Sequence, residues 1–229
     1  MPDSNLRTQP LSTPAVPVPG SDVYDGGAET TPPLAAHLEA CLARGSDLWI
    51  FGYGSLMWNP GFAHCGAEPA LLRGWHRSFC VYSRRYRGTP ERQGLVLGLD
   101  RGGACRGMAF RVSRPAIADA LSYLWEREMS GGIYDMREVR VRSAAGEVRA
   151  HAFTVRRSHP GYAGRLSVDE TARLILQGLG GRGPCREYLE NTVRQLECLG
   201  HLDGPLHKLE QRVRALAVAE KPCGSDLLL

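Results

Sequence analysis

Two glycines within three residues, then a serine and bulky apolar side chains, stand at Phe51-Gly52-Tyr53-Gly54-Ser55-Leu56-Met57-Trp58. The preceding apolar run, Leu48-Trp49-Ile50-Phe51, reads as a buried strand, so the glycines fall in the turn that leaves it. Glycine lets a backbone turn tightly and approach a ligand with no Cβ in the way. Successive N–H groups from such a turn form a nest for a carboxylate or an oxyanion. For Gly-x-Gly alone, a tight surface turn needing positive φ is the better account. Ser55 lacks the glycines two residues before and after it that a nucleophile elbow needs, since Tyr53 and Met57 stand there. No Gly-Lys-Ser/Thr follows, which excludes a Walker-type phosphate loop. Ser55 therefore reads as a hydrogen-bonding residue.

The second chemical feature is Glu128. Counting about 100° per residue from Ile117, Leu121 falls at about 40°, Leu124 at about 340°, Trp125 at about 80° and Glu128 at about 20°. Glu126 falls at about 180°, on the solvent side. Glu128 thus lies within the apolar stripe. Burying a carboxylate costs free energy unless it is paired, and desolvation raises its pKa. That environment suits a general base working near neutral pH. A structural ion pair with Arg127 or Arg137 explains the position equally well. His76, His151 and His159 lie in or beside strand-like runs and read as ordinary surface or core imidazoles. Trp49, Trp58, Trp75 and Trp125 read as core or pocket wall.

The elements that must position these residues follow from periodicity. Leu34, His37, Leu38, Cys41 and Leu42 repeat at helical spacing up to Gly45. Strands are expected over 48–51, 71–83, 94–99, 105–112, 138–141 and 148–155. Pro115 opens a helix running to Met129, and Gly131-Gly132 ends it. Ser167-Val168-Asp169-Glu170 fits a capping box at the start of a helix that ends at Gly178. Two more helices are expected over 186–199 and 205–218. Strands, one helix, more strands and then helices argue for an α+β domain, not a doubly wound parallel sheet.

The chain has 229 residues, 43% of them hydrophobic, enough for one sizeable core. Its net charge of +4 comes from dispersed arginines with no basic block interleaved with aromatics, which argues against nucleic acid as a partner. Seven widely spaced cysteines without CxxC argue against a disulfide framework or a zinc site and for a reducing, cytoplasmic setting. No apolar run reaches membrane-spanning length, and residues 1–20 do not read as a secretory signal. Residues 1–32 are rich in Pro, Ser, Thr, Gly and Asp and read as disordered. The expected organisation is an extension over 1–45, partly helical, a domain over 46–219 and a tail over 220–229.

Beyond the glycine loop, Trp49 through Pro60 resembles the N-terminal signature of ChaC-type gamma-glutamylcyclotransferases. The resemblance continues in order through Gly74-Trp75-His76-Arg77-Ser78-Phe79-Cys80, Arg87-Gly88-Thr89-Pro90, residues 94–99 and residues 102–107. It ends with Leu124-Trp125-Glu126-Arg127-Glu128-Met129 and His159-Pro160-Gly161-Tyr162-Ala163-Gly164. It implies a small mixed β-barrel-like sheet with flanking helices, and an enzyme that cuts glutathione into 5-oxoproline and Cys-Gly. It implies that Glu128 is the acid/base and that Phe51, Gly52, Tyr53, Gly54, Ser55 and Leu56 hold the gamma-glutamyl group. Tyr134 or Tyr162 adds a hydrogen bond. No metal or organic cofactor is needed, because the substrate's own α-amine is the nucleophile. The same residues also suit other gamma-glutamyl amino acids or amines, and a non-catalytic, transport-linked regulator with this fold is the alternative from another class.

Overall fold

The computed structural model describes residues 33–219; the disorder expected over 1–32 and the tail expected over 220–229 lie outside the described residues. The chain runs through helix α1 (Leu34–Ala43), strand β1 (Leu48–Gly52), a 3-10 turn (Ser55–Met57), β2 (Gly66–Ser83) and β3 (Gly94–Val112). A second 3-10 turn (Arg114–Ala116), α2 (Ile117–Leu124) and a π-helical turn (Trp125–Met129) lead to β4 (Tyr134–Ser143) and β5 (Gly146–Val155). Helix α3 (Val168–Gln177), the two-residue strands β6 (Leu179–Gly180) and β7 (Gly183–Pro184), α4 (Cys185–Cys198) and α5 (Gly204–Ala219) follow.

The first five strands form a closed mixed barrel in the order β1-β3-β2-β4-β5, as the expected α+β barrel requires. Closure comes from parallel pairing of Ile50 with His151. Alternation along the strands splits the core in two. Phe51, Leu97, Ala150 and Ala152 pack with Ile175 of α3, Leu189 and Val193 of α4, and Leu209 of α5. Leu48, Ile50, Phe153 and Val155 pack with Cys41 of α1 and with Ile117, Leu121 and Leu124 of α2. Strands covered on both faces read as continuous apolar runs, which explains Leu48–Phe51. Helix α1 is part of this second cluster, with Cys41 only 4% exposed. Among the described residues no helix is long and apolar enough to cross a membrane.

Two expectations of the sequence are corrected. Residues 94–99 and 105–112 are one strand, β3. The glycines that suggested a turn, Gly102 (φ 103°) and Gly103 (φ 69°), lie opposite Gly74 (φ 80°), where the register with β2 shifts between Arg73 and Trp75. Glycine tolerates the left-handed backbone of such a bulge, which bends the ribbon while it continues. The helix expected from Pro115 to Met129 is regular only over Ile117–Leu124; its last turn widens to π geometry.

The capping box is present as expected. The Ser167 side chain accepts from the Glu170 N–H at 3.2 Å, and the Glu170 carboxylate accepts from the Ser167 N–H at 2.9 Å. Helix α3 packs against α5. Ser167→Ala should therefore lower stability by about 1 kcal/mol, read as a lower denaturant midpoint at unchanged slope; an unmoved midpoint would show that the cap is idle.

Candidate active site

The site grows from the end of α2. Ile117, Ala120, Leu121 and Leu124 bury the inner face of that helix. The π turn then carries Arg127 and Met129 inward while Glu126 stays exposed, as the helical wheel required. The Arg127 side chain is only 4% exposed and its Nε lies 3.1 Å from the Glu128 carboxylate, whose side chain is 17% exposed. The guanidinium also reaches the turn after β1. Its Nη2 donates to Ser55 Oγ at 2.8 Å, and its Nη1 donates to the Asn59 carbonyl at 2.8 Å and the Tyr123 hydroxyl at 3.0 Å. One cation therefore joins the glycine turn to the carboxylate. Burial pushes the Glu128 carboxyl up from its ordinary range, and the charges of Arg127 and Arg182 pull against that rise. Burial works to lower the Arg127 pKa, but the Glu128 carboxylate, Tyr123 and Tyr188 together more than offset it, so the guanidinium stays charged.

Three tyrosines stand within electrostatic reach of Glu128. Burial raises the pKa of Tyr53, Tyr134 and Tyr188, and the nearby acid raises each further. The Tyr134 hydroxyl donates to the Leu97 carbonyl at 2.9 Å. Tyr188 reaches in from α4, its ring held edge-on by Trp58 and Phe79 at 5.6 and 5.8 Å. A methyl group on Gly54 would meet the Tyr188 hydroxyl oxygen at 2.8 Å, so glycine there makes room for the phenol. From behind, Arg77 Nη1 donates to the Tyr53 carbonyl at 2.7 Å, and its Nε lies 3.3 Å from the Asp203 carboxylate.

A cavity of about 110 Å³ opens beside Glu128. Glu128, Arg127 and Tyr134 line it together with Tyr82 to Tyr86, Gly131 and His159. Wider grooves of about 640 and 620 Å³ run elsewhere over the sheet. The acids of the first, Glu138 and Glu147, pair with Arg44, Arg149 and Arg140, with side chains 31% and 64% exposed, and the acid of the second, Asp47, pairs with Arg111 with its side chain 38% exposed. Neither groove has the desolvated acid that chemistry at a carbonyl calls for.

Of the residues selected from sequence, Glu128 and Tyr134 line the cavity. Phe51, Gly52, Tyr53, Gly54, Ser55 and Leu56 do not line it; they pack behind Glu128, linked to it through Arg127 and Tyr188. Tyr162 also stays out of the lining. Its main chain pairs with Val81, while its hydroxyl donates to the Asp100 carboxylate at 2.7 Å, and burial and that carboxylate push its pKa up to about 12. Sequence reasoning missed Tyr188. The visible signal was a phenol next to Leu189 on the flank of an otherwise aliphatic helix face. The ion pair with Arg127, weighed as a purely structural alternative, does exist, and it lines an open cavity.

A raised carboxyl pKa has a definite sign in stability. The folded state holds the Glu128 proton more tightly than the unfolded state does, so its stabilisation is complete at low pH and is lost as pH rises through the raised pKa. Relative to wild type, Glu128→Gln should therefore gain stability as pH rises from the ordinary carboxyl range, about pH 4, through the raised pKa, read as diverging denaturation midpoints. Parallel curves would mean that burial leaves this acid unperturbed. Gly54→Ala should cost about 1–3 kcal/mol by crowding Tyr188, and Tyr188→Phe in the same chain should return part of it. Simple additivity in that double mutant would refute the contact.

Residues 48–216 match the family model described as ChaC-like protein. The chain is 36% identical over 192 residues to an Escherichia coli (strain K12) protein named glutathione-specific gamma-glutamylcyclotransferase, covering 83% of each. It is 36% identical over 158 residues to the Homo sapiens glutathione-specific gamma-glutamylcyclotransferase 1, covering 67% of this chain and 71% of that one. In fold it is similar to the crystal structure of a yeast gamma-glutamyl cyclotransferase specific to glutathione, with a TM-score of 0.69 at 21% identity over 74% of this chain and 96% of that one. A barrel of this topology, a desolvated glutamate at its cavity and a family match spanning both place the chain in the ChaC-like family.

Proposed function

We propose that this chain is a glutathione-specific gamma-glutamylcyclotransferase in which Glu128 is the acid/base. The observation that carries the reading is the Glu128 carboxylate, almost fully desolvated yet open to a cavity and steadied by Arg127. The reaction needs no nucleophile from the protein. The α-amine of the gamma-glutamyl residue passes a proton to the Glu128 carboxylate and attacks the γ-carbonyl carbon. The new C–N bond closes a five-membered lactam, and the carbonyl electrons move onto oxygen. As the oxyanion collapses, the old C–N bond breaks and Glu128 returns its proton to the departing amine of Cys-Gly. The products are 5-oxoproline and the dipeptide.

The protein's contribution is geometric and electrostatic. Folding the substrate back on itself and holding it there supplies several kcal/mol of the barrier reduction. Burial raises the basicity of Glu128 toward that of the amine it must deprotonate. Arg127 keeps the carboxylate aimed and ties it to Ser55. The turn after β1 acts through Arg127, which it holds by Ser55 Oγ, and at the cavity the Arg127 guanidinium is the charged donor assigned to the oxyanion or the α-carboxylate. Tyr134 serves as wall, because its proton is already committed to Leu97. A small-molecule substrate and six free cysteines among the described residues fit a reducing, cytoplasmic setting.

Incubating the purified protein with glutathione should release 5-oxoproline and Cys-Gly in equal amounts, detected by mass spectrometry. Glu128→Gln should cut that rate by about 10²–10⁴-fold while glutathione still binds. Near-normal release from the variant would remove Glu128 from the chemistry. Ser55→Ala, which deprives Arg127 of one acceptor, should slow turnover about tenfold. A trapped acyl-enzyme in wild type would instead make Ser55 a nucleophile.

A further inference from the structure

The gamma-glutamyl end of the substrate must sit at Glu128, so the rest of the peptide points toward the cavity mouth. An extended Cys-Gly carries its terminal carboxylate about 7 Å beyond the scissile carbonyl. Residues 83–86, at and just after the end of β2, line the cavity, and the hairpin β6–β7 packs against them from outside. These two pieces are fastened through their main chains. The Gly181 N–H donates to the Arg85 carbonyl at 2.7 Å, and the Arg182 N–H donates to the Tyr86 carbonyl at 2.9 Å. A side chain at Gly180 would strike the Arg85 carbonyl at 2.5 Å, so the hairpin lies as close as glycine allows.

Arg182 stands at the tip of that hairpin. Its guanidinium lies over the Tyr86 ring, 4.5 Å from the centroid, and Tyr86 itself lines the cavity. Arg182 is exposed and has no ion-pair partner among the described residues. Its charge nonetheless reaches the interior, where it pulls the Glu128 pKa downward. Stacking on an aromatic face fixes the plane of a guanidinium and leaves its edge N–H groups free, which is how arginine receives a carboxylate through paired hydrogen bonds.

We infer that Arg182, laid on Tyr86 at the cavity mouth, receives the terminal carboxylate of the peptide substrate and so sets the preference for a dipeptide leaving group. This rests on the cyclotransferase reading above. It separates the roles of two carboxylates: the α-carboxylate is held with the reacting atoms, and the distal one is read at the rim. Shorter gamma-glutamyl amino acids carry their second carboxylate about one residue, roughly 3.5 Å, closer to the reacting carbonyl and cannot engage both places at once.

The test crosses a protein change with a substrate change. KM and kcat for 5-oxoproline release are measured for wild type and Arg182→Gln, each with glutathione and with glutathione amidated at its glycine carboxylate. Arg182→Gln should raise KM for glutathione about fivefold, the effect of an exposed ion pair, with kcat within about twofold. Amidation should raise the wild-type KM by a similar factor and should not raise the variant's further. Arg182→Lys should fall in between. An active wild type whose KM is unmoved by either change, or whose two changes simply multiply, overturns the rim assignment alone. A wild type that releases no 5-oxoproline from glutathione overturns the cyclotransferase reading, and the rim assignment with it.

Discussion

A guanidinium only 4% exposed must find most of its acceptors within the protein, and Arg127 has at least four. It holds Glu128 with one edge, and Ser55, Asn59 and Tyr123 with the others. Losing any one of these acceptors would leave part of a buried guanidinium unsatisfied. The glycine turn, the end of α2 and the carboxylate are therefore held to one geometry. Burial raises the carboxylate pKa, and the adjacent cation limits that rise. The result is an acid that still ionises yet holds its proton unusually well.

That pairing also gives the π turn a physical reason. A regular wheel already turns Glu128 toward the apolar stripe, and the π turn buries Arg127 and Met129 as well. Within that turn Arg127 is buried and Glu128 largely so, while Glu126 remains in water. Single widened turns of this kind recur where function needs an unusual side-chain direction.

Much of this was legible from residue order. The strand ending at Gly52, the glycine turn, the inward position of Glu128 and the capping box at Ser167 all follow from spacing and turn chemistry. What stayed hidden depends on partners distant in sequence. Gly102 and Gly103 look like a turn until β2 is seen to continue alongside them. The glycine turn reads as the ligand cradle itself, but the cavity is lined by Arg127, which the turn holds through Ser55. Tyr188 arrives from a helix more than a hundred residues later. Tyr162 carries a motif of the resemblance, yet the Asp100 carboxylate claims its hydroxyl. Arg182 gives no sequence signal at all, because its meaning lies in the aromatic ring beneath it.

The parallel pairing of Ile50 with His151 closes the barrel across a hundred residues of chain. During synthesis the first strand must therefore wait, with its apolar face uncovered, until the fifth has emerged. Tyr188 comes later still. Partly made chains thus pass through a stage in which Glu128 exists but its surroundings do not, and a base without a dry pocket is an ordinary glutamate. Non-local closure of this sort slows folding and lengthens the time that sticky strand edges are open to other chains. The raised pKa of Glu128 therefore arises only when the last long-range contacts form and complete its burial.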